Sequence, residues 1–310
     1  MARRRHFAPN QDLVHVSFKC VCDAFLMRPD AYASFVVASA LEQAAEKYGV
    51  RIHALCFLSN HAHLLLGIQG CRLDSFMQYL KSVIALALNV HHERDGAFFK
   101  RRYRAEPILS NDAAVGIEQY VHQQAVKHEL VERAVEWAGL CSYAAIIDGR
   151  SSIEVSWFDE ASWRESGGRR DARSDFVRKA SIPLTPLPHR VGLTERELRT
   201  HRRALEENMK DFEAQVARKR RDDGARRLPK PSSYATQDPN GRPSGRRQKK
   251  ETPQPLAHGT DAQVQAYERA YAEVMVAYAN ASKRYRETGT LCPFPAGTFP
   301  PRIPTPREVL

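Results

Sequence analysis

The chain predicts an α+β fold, and three observations predict it. Short β-branched and aromatic runs alternate with longer stretches of helical period over the first 150 residues. Two of the apolar runs, "VRIHALCF" (50–57) and "HAHLLLG" (61–67), are separated only by "LSN", which suits a tight hairpin turn. The resulting order, β-α-β-β-α-β-α, mixes an antiparallel hairpin with crossover helices. That order points to a ferredoxin-like, or split βαβ, antiparallel sheet with helices on one face. A mostly helical and partly disordered basic C-terminal extension follows it.

Each element has its own signal. "LVHVSFKCVC" (13–22) alternates and reads as a strand. A helix follows, with Asp30 as cap, apolar residues at 35, 38, 41, 45 and 48, and Gly49 at its end. "LDSFMQYLKSVIALALNVHHE" (73–93) is a second helix, with an apolar stripe through Phe76, Leu80, Val83, Ile84, Ala87 and Leu88. "FFKRRYRAEPIL" (98–109) reads as a basic strand, and residues 111–130 as a third helix capped by Asn111 or Asp112. The first domain is expected to end near Arg150. Residues 151–190 have no clear period. Residues 193–223 form a charged helix that opens with a capping box, Thr194 to Glu197. Residues 224–260 are rich in Pro, Gly, Ser, Lys and Arg and read as a flexible basic linker. A last helix (261–289) and a Pro-rich tail complete residues 261–310.

The net charge of +11 fits a polyanionic partner such as nucleic acid. It is uneven: residues 1–150 hold 17 Lys and Arg against 15 Asp and Glu, and the remainder hold 30 against 21. Nucleic-acid binding by the first half must therefore come from local arrangement. The six cysteines include no CxxC pair, which argues against a zinc ribbon and for buried thiols at Cys20 and Cys22. Scattered cysteines in a long chain fit a reducing cytosol, and no apolar run is long enough to span a membrane. "MARRRHF" has no apolar region behind it and does not read as a signal peptide.

The chemistry-bearing stretch is "NHAHLLLG". On a strand, His61 and His63 share one face, while Ala62, Leu64 and Leu66 point to the other. Two imidazoles on a rigid face can share a divalent ion, and a third ligand must then come from elsewhere. The alternative is a pair of histidines hydrogen-bonded to neighbours. In "EQYVHQQAVK", Tyr120, Gln124 and Lys127 are spaced i, i+4, i+7 and share a helical face. They can act as nucleophile, third metal ligand and phosphate contact, or form the polar edge of an ordinary amphipathic helix. His122 points away from that face and reads as structural.

Taken in order, "NHAHLLLG", "LDSFMQYLKS", "FFKRRYRAEPIL", "YVHQQAVKHELV" and "CSYAA" resemble the REP-associated tyrosine transposases, within the single-tyrosine HUH transposases. The resemblance spans roughly residues 8 to 147. It implies metal ligation by His61 and His63, with Gln124 where relatives carry an Asn or Gln third ligand, and Mg²⁺ or Mn²⁺ as the ion. It implies Tyr120 as the nucleophile of a DNA nicking and strand-transfer reaction with a 5′-phosphotyrosine intermediate. Single-stranded DNA beside a hairpin, as in palindromic repeats, is the implied substrate. The chain departs from relatives at Leu58-Ser59, where they often carry Met-Pro, at Gln124-Ala125 for Asn-Pro, and at Phe99-Lys100-Arg101 for aromatic-Gln-Gly. Lys81, Arg101, Arg102, Arg104 and Lys127 are candidate DNA-backbone contacts, and Arg3, Arg4 and Arg5 a candidate basic arm. Tyr103 and Phe99 are candidates for stacking on bases. A replication initiator or relaxase of the same chemistry is an alternative, though no G-x-x-x-x-G-K-[ST] phosphate loop is present. A non-catalytic nucleic-acid binder is another. A monomer or a homodimer is compatible with the sequence.

Overall fold

Strands buried on both faces set the architecture. The computed structural model describes residues 12–100, 102–170, 172–224, 227–244, 257–295, 298 and 300–301. Strands β1 (Leu13–Lys19), β2 (Arg51–Phe57), β3 (His61–Gly67) and β4 (Arg104–Pro107) form one sheet in the order β2-β3-β1-β4. Every neighbouring pair is antiparallel. This is the ferredoxin-like order expected from the sequence. Helices α1 (Ala31–Tyr48) and α2 (Leu73–His91) are the two crossovers. Asp30 caps α1 through the Ala33 N–H, and Gly49 ends it in the left-handed region at φ +65°, which favours glycine.

Period two divides the side chains between two cores. Val14, Val16, Phe18, Ala62, Leu64 and Leu66 pack with Leu41 of α1 and Phe76, Leu80 and Ile84 of α2. Leu13, Ala54, Cys56 and Leu65 face the other way, onto Ile117 and Val121. Those two residues belong to helix α3 (Asn111–His122), which is followed at once by the short helix α4 (Gln124–Lys127). The expectation of helices on one face thus holds for the crossovers, while α3 covers the opposite face. The helix expected over 111–130 is stepped at Gln123. There the Gln124 side-chain amide donates to the Tyr120 carbonyl oxygen at 2.7 Å. Ser110 caps α3 by accepting from the Ala113 N–H at 3.2 Å. Ser110→Ala is expected to lower stability by about 1 kcal/mol, seen as a lower urea midpoint at unchanged slope.

Two strands are shorter than expected. β1 ends at Lys19, because the chain turns at Cys22, a non-glycine residue at φ 55°. Cys20 is buried as predicted, but Cys22 is exposed on that turn. The basic strand shrinks to residues 104–107, since Phe98 is buried and Phe99 packs against Phe18.

Residues 151–190 hold a hairpin of β5 (Ser152–Phe158) and β6 (Val177–Pro183), with helix α5 (Tyr143–Ile147) before it and α6 (Glu160–Glu165) inside it. Trp157 packs on Tyr32 and Phe35 of α1. Helix α7 (Glu195–Asp222) opens with the expected capping box, and its Leu205 and Met209 are buried against the α3 core. Residues 227–244, expected as linker, lie against the first domain. Tyr234 Oη donates to the Leu130 carbonyl (2.8 Å), and Ser59 of the "LSN" turn donates to Gln237 (2.9 Å). Helix α8 spans Asp261–Thr288. No helix among the described residues is long and apolar enough to cross a membrane.

Candidate active site

The strand period puts His61 and His63 on the face that α3 covers, as expected, and both are buried. Their rings lie 5.4 Å apart, nearly perpendicular. Tyr120, near the end of α3, stands edge-on to His63 at 5.4 Å and to His15 at 5.7 Å between ring centroids. The Lys127 ammonium sits 4.2 Å from the Tyr120 ring centroid. Gln124 is buried behind Tyr120, held by its bond to the Tyr120 carbonyl. The structure therefore brings together His61, His63, Tyr120, Gln124 and Lys127. Beside Tyr120 opens a cleft of about 690 Å³, lined by Ala113, Gly116 and Ile117 of α3 and by His258 and Asp261.

Burial lowers His61 to about 3 and His63 well below the ordinary histidine value, so both rings are neutral at physiological pH. The hydrogen-bond network assigns their tautomers. Asn60 donates its amide to the Asp23 carbonyl (3.1 Å), which turns its oxygen toward His61 Nδ1 (2.6 Å). His61 Nδ1 therefore carries the proton and Nε2 a lone pair. His63 Nδ1 lies 3.0 Å from His15 Nε2, and His15 Nδ1 lies 2.9 Å from Glu106 Oε2. Burial would raise Glu106, but bonds from His15 and His258 and the charge of Arg104 outweigh it and hold the carboxyl at about 2. Burial also lowers Lys127 from its ordinary value.

Other expected contacts lie elsewhere. Lys81 is on α2, on the far side of the sheet, with its ammonium 5.1 Å from the Phe99 ring centroid. Arg102 is exposed just before β4. Arg104 pairs with Glu106 at 2.6 Å. Tyr103 and Phe99 are partly buried and pack against the α1–α2 core. Arg3, Arg4, Arg5 and Arg101 lie outside the described residues. His122 is buried and bonds Ser142 at 2.8 Å, a structural place as expected. His15, Glu106, His258 and Asn60 are site neighbours that the sequence did not single out. His128 is another, with its ring 4.9 Å from that of His61.

Residues 30–124 match the family model of the IS200-like transposases. The matched segment carries both histidines, Tyr120 and Gln124. No curated protein matches the chain. Among solved structures, the chain is similar to a REP-associated tyrosine transposase bound to a REP hairpin, at 13% identity and TM-score 0.41, over 48% of this chain and 86% of that one. It is similar to a proposed transposase from Deinococcus radiodurans R1 at 19% identity and TM-score 0.28, over 40% of this chain and 98% of that one. It is also similar to a bacterial tRNA(His) guanylyltransferase-like protein in complex with GTP, at 13% identity and TM-score 0.33, over 63% of this chain and 90% of that one.

Proposed function

We propose that the protein is a metal-dependent single-strand DNA endonuclease and strand transferase, a transposase of the REP-associated kind that acts on repeat hairpins through Tyr120. One observation carries this reading: within the family-matched segment, two neutral imidazoles and an amide stand with free lone pairs around a tyrosine. The donor set fits a divalent ion. Nε2 of His61 and of His63 are left unprotonated by their partners, and Gln124 commits its NH₂ to Tyr120 and keeps its carbonyl oxygen. These three residues would hold Mg²⁺ or Mn²⁺, which when bound supplies Lewis-acid stabilisation of charge on a non-bridging phosphate oxygen.

The chain's own residues do the rest. The cleft along α3 seats a single strand beside Tyr120. Lys127 sets a positive charge next to the ring, where a backbone phosphate would lie. The Tyr120 oxygen forms a bond to phosphorus and the P–O3′ bond breaks. The phenol gives up its proton, and the leaving oxygen gains one to become a 3′-OH. The 5′-phosphotyrosine keeps the bond energy, so a second 3′-OH can rejoin the strand without a nucleotide cofactor.

The test is a labelled hairpin oligonucleotide with single-stranded flanks, incubated with Mn²⁺. A covalent protein–DNA adduct is expected, lost when EDTA is added first, with the modified peptide mapping to Tyr120 by mass spectrometry. Metal-independent, salt-sensitive binding with no nicking would sink the reading.

A further inference from the structure

The metal reading of the two histidines leaves a buried chain of polar groups behind them unused. On β1, His15 is paired with Glu106 of β4 on one side and lies diagonally from His63 of β3 on the other. His15 and Glu106 are both buried, and the His15 ring lies nearly parallel to that of His63, with centroids 5.2 Å apart and 8° between planes, joined edge to edge by their ring nitrogens. Residue 258 then closes over the carboxylate. Its backbone joins the edge of β4, with His258 N–H to the Pro107 carbonyl (2.8 Å) and Leu109 N–H to the His258 carbonyl (2.7 Å). Its Nε2 reaches Glu106 Oε2 at 3.3 Å.

We propose that Glu106 and His15, closed over by His258 from the C-terminal part of the chain, are positioning residues that hold His63 in its metal-binding tautomer. This rests on the metal reading above. The logic is one of donors and acceptors. Glu106 is paired with Arg104 and is an acceptor, so His15 must donate from Nδ1. His15 Nε2 is then an acceptor, and His63 must donate from Nδ1. Only Nε2 of His63 is left with a lone pair. The carboxylate–histidine pair also makes that lone pair more basic, as carboxylates behind metal-bound histidines do. His15 and His258 both lie outside the family-matched segment.

A rival use of the same groups can be weighed. His15, Glu106 and His258 offer ligand atoms within 4.8 Å of one another and could hold a cation themselves. That would need His15 Nδ1 unprotonated and its Nε2–H pointed at His63 Nδ1. His63 would then carry its proton on Nε2 and leave the first site, so the two arrangements exclude each other. The Arg104 guanidinium, 2.6 Å from the same carboxylate, disfavours a cation there.

Mn²⁺ binding to the full chain, read from loss of the free-ion EPR signal, separates these outcomes without needing activity. His15→Phe, which leaves His63 Nδ1–H without an acceptor, is expected to weaken Mn²⁺ binding 10- to 100-fold. His15→Gln, whose amide oxygen can accept that proton, is expected to restore most of it. Glu106→Gln, nearly isosteric, is expected to weaken binding several-fold and decides alone if His15→Phe does not fold. His15→Phe and Glu106→Gln both binding Mn²⁺ within twofold of wild type, with near-native melting, would overturn the proposal. So would loss of binding in His258→Ala with retention in His63→Ala, which would put the ion at the rival site. If instead neither His63→Ala nor His258→Ala changes binding, it is the metal assignment itself that fails.

Discussion

Tyr120→Phe is expected to abolish the covalent protein–DNA adduct and to lower nicking by roughly 10⁴-fold or more, the scale of losing a nucleophile. The change removes one oxygen and little else. The ring keeps its edge contacts with His15 and His63 and its place under Lys127, none of which uses the hydroxyl. Gln124 is held by the residue 120 carbonyl, which the substitution leaves in place. Mn²⁺ affinity and melting temperature should therefore stay at wild-type values, so that a lost adduct reports chemistry and not folding. Denaturing gels with labelled hairpin DNA measure the adduct, and a titration measures the metal. Adduct formation by the variant at the wild-type rate would end the assignment of Tyr120 as nucleophile.

What the sequence made legible follows from locality. The bounds of β3 were readable because it is a dense apolar run between turn residues, and the strand period alone put His61 and His63 on one face. The helical period likewise grouped Tyr120, Gln124 and Lys127, and their contacts bear out that shared face. His15 was harder. It alternates visibly on β1, but its meaning lies in two cross-strand neighbours, and these depend on a sheet order that no local pattern carries. His258 was harder still, since it sits behind a Lys- and Pro-rich stretch that looks solvated, and it docks through two backbone bonds to the edge of β4 and a side-chain contact to Glu106. The β5–β6 hairpin was hidden for another reason. Its exposed face carries Glu154 and Lys179, and its apolar face is completed by α1. A two-stranded ribbon that borrows its core from elsewhere has little signal of its own.

The same dependence on distant partners gives the largest expected loss of stability. Glu118, two residues before Tyr120 on α3, is buried against Arg190, with an ion-pair contact of 2.8 Å and a hydrogen bond from Nη1 to Oε1 at 3.0 Å. Arg190→Ala would leave that carboxylate buried and uncompensated, and is expected to cost roughly 3–5 kcal/mol, a fall in melting temperature on the order of 10 °C. The pH dependence is the sharper check. Burial already raises Glu118 above the ordinary carboxylate value, with Arg190 pulling it back down. Without Arg190 it rises further, so the folded variant holds a proton over a pH range where the unfolded chain has released it. Stability then falls as pH rises through that range, with a slope approaching about 1.4 kcal/mol per pH unit. Arg190→Ala should thus lose more melting temperature between pH 5 and pH 8 than wild type does, and Glu118→Gln in the same background should remove the excess. Equal pH dependence in wild type and variant would show that the carboxylate is not the buried charge supposed. Because Glu118 and Tyr120 share α3, the variant should also lose adduct formation on warming before wild type does. At temperatures well below its melting it should keep a wild-type rate, since Arg190 holds the helix and takes no part at the phosphate.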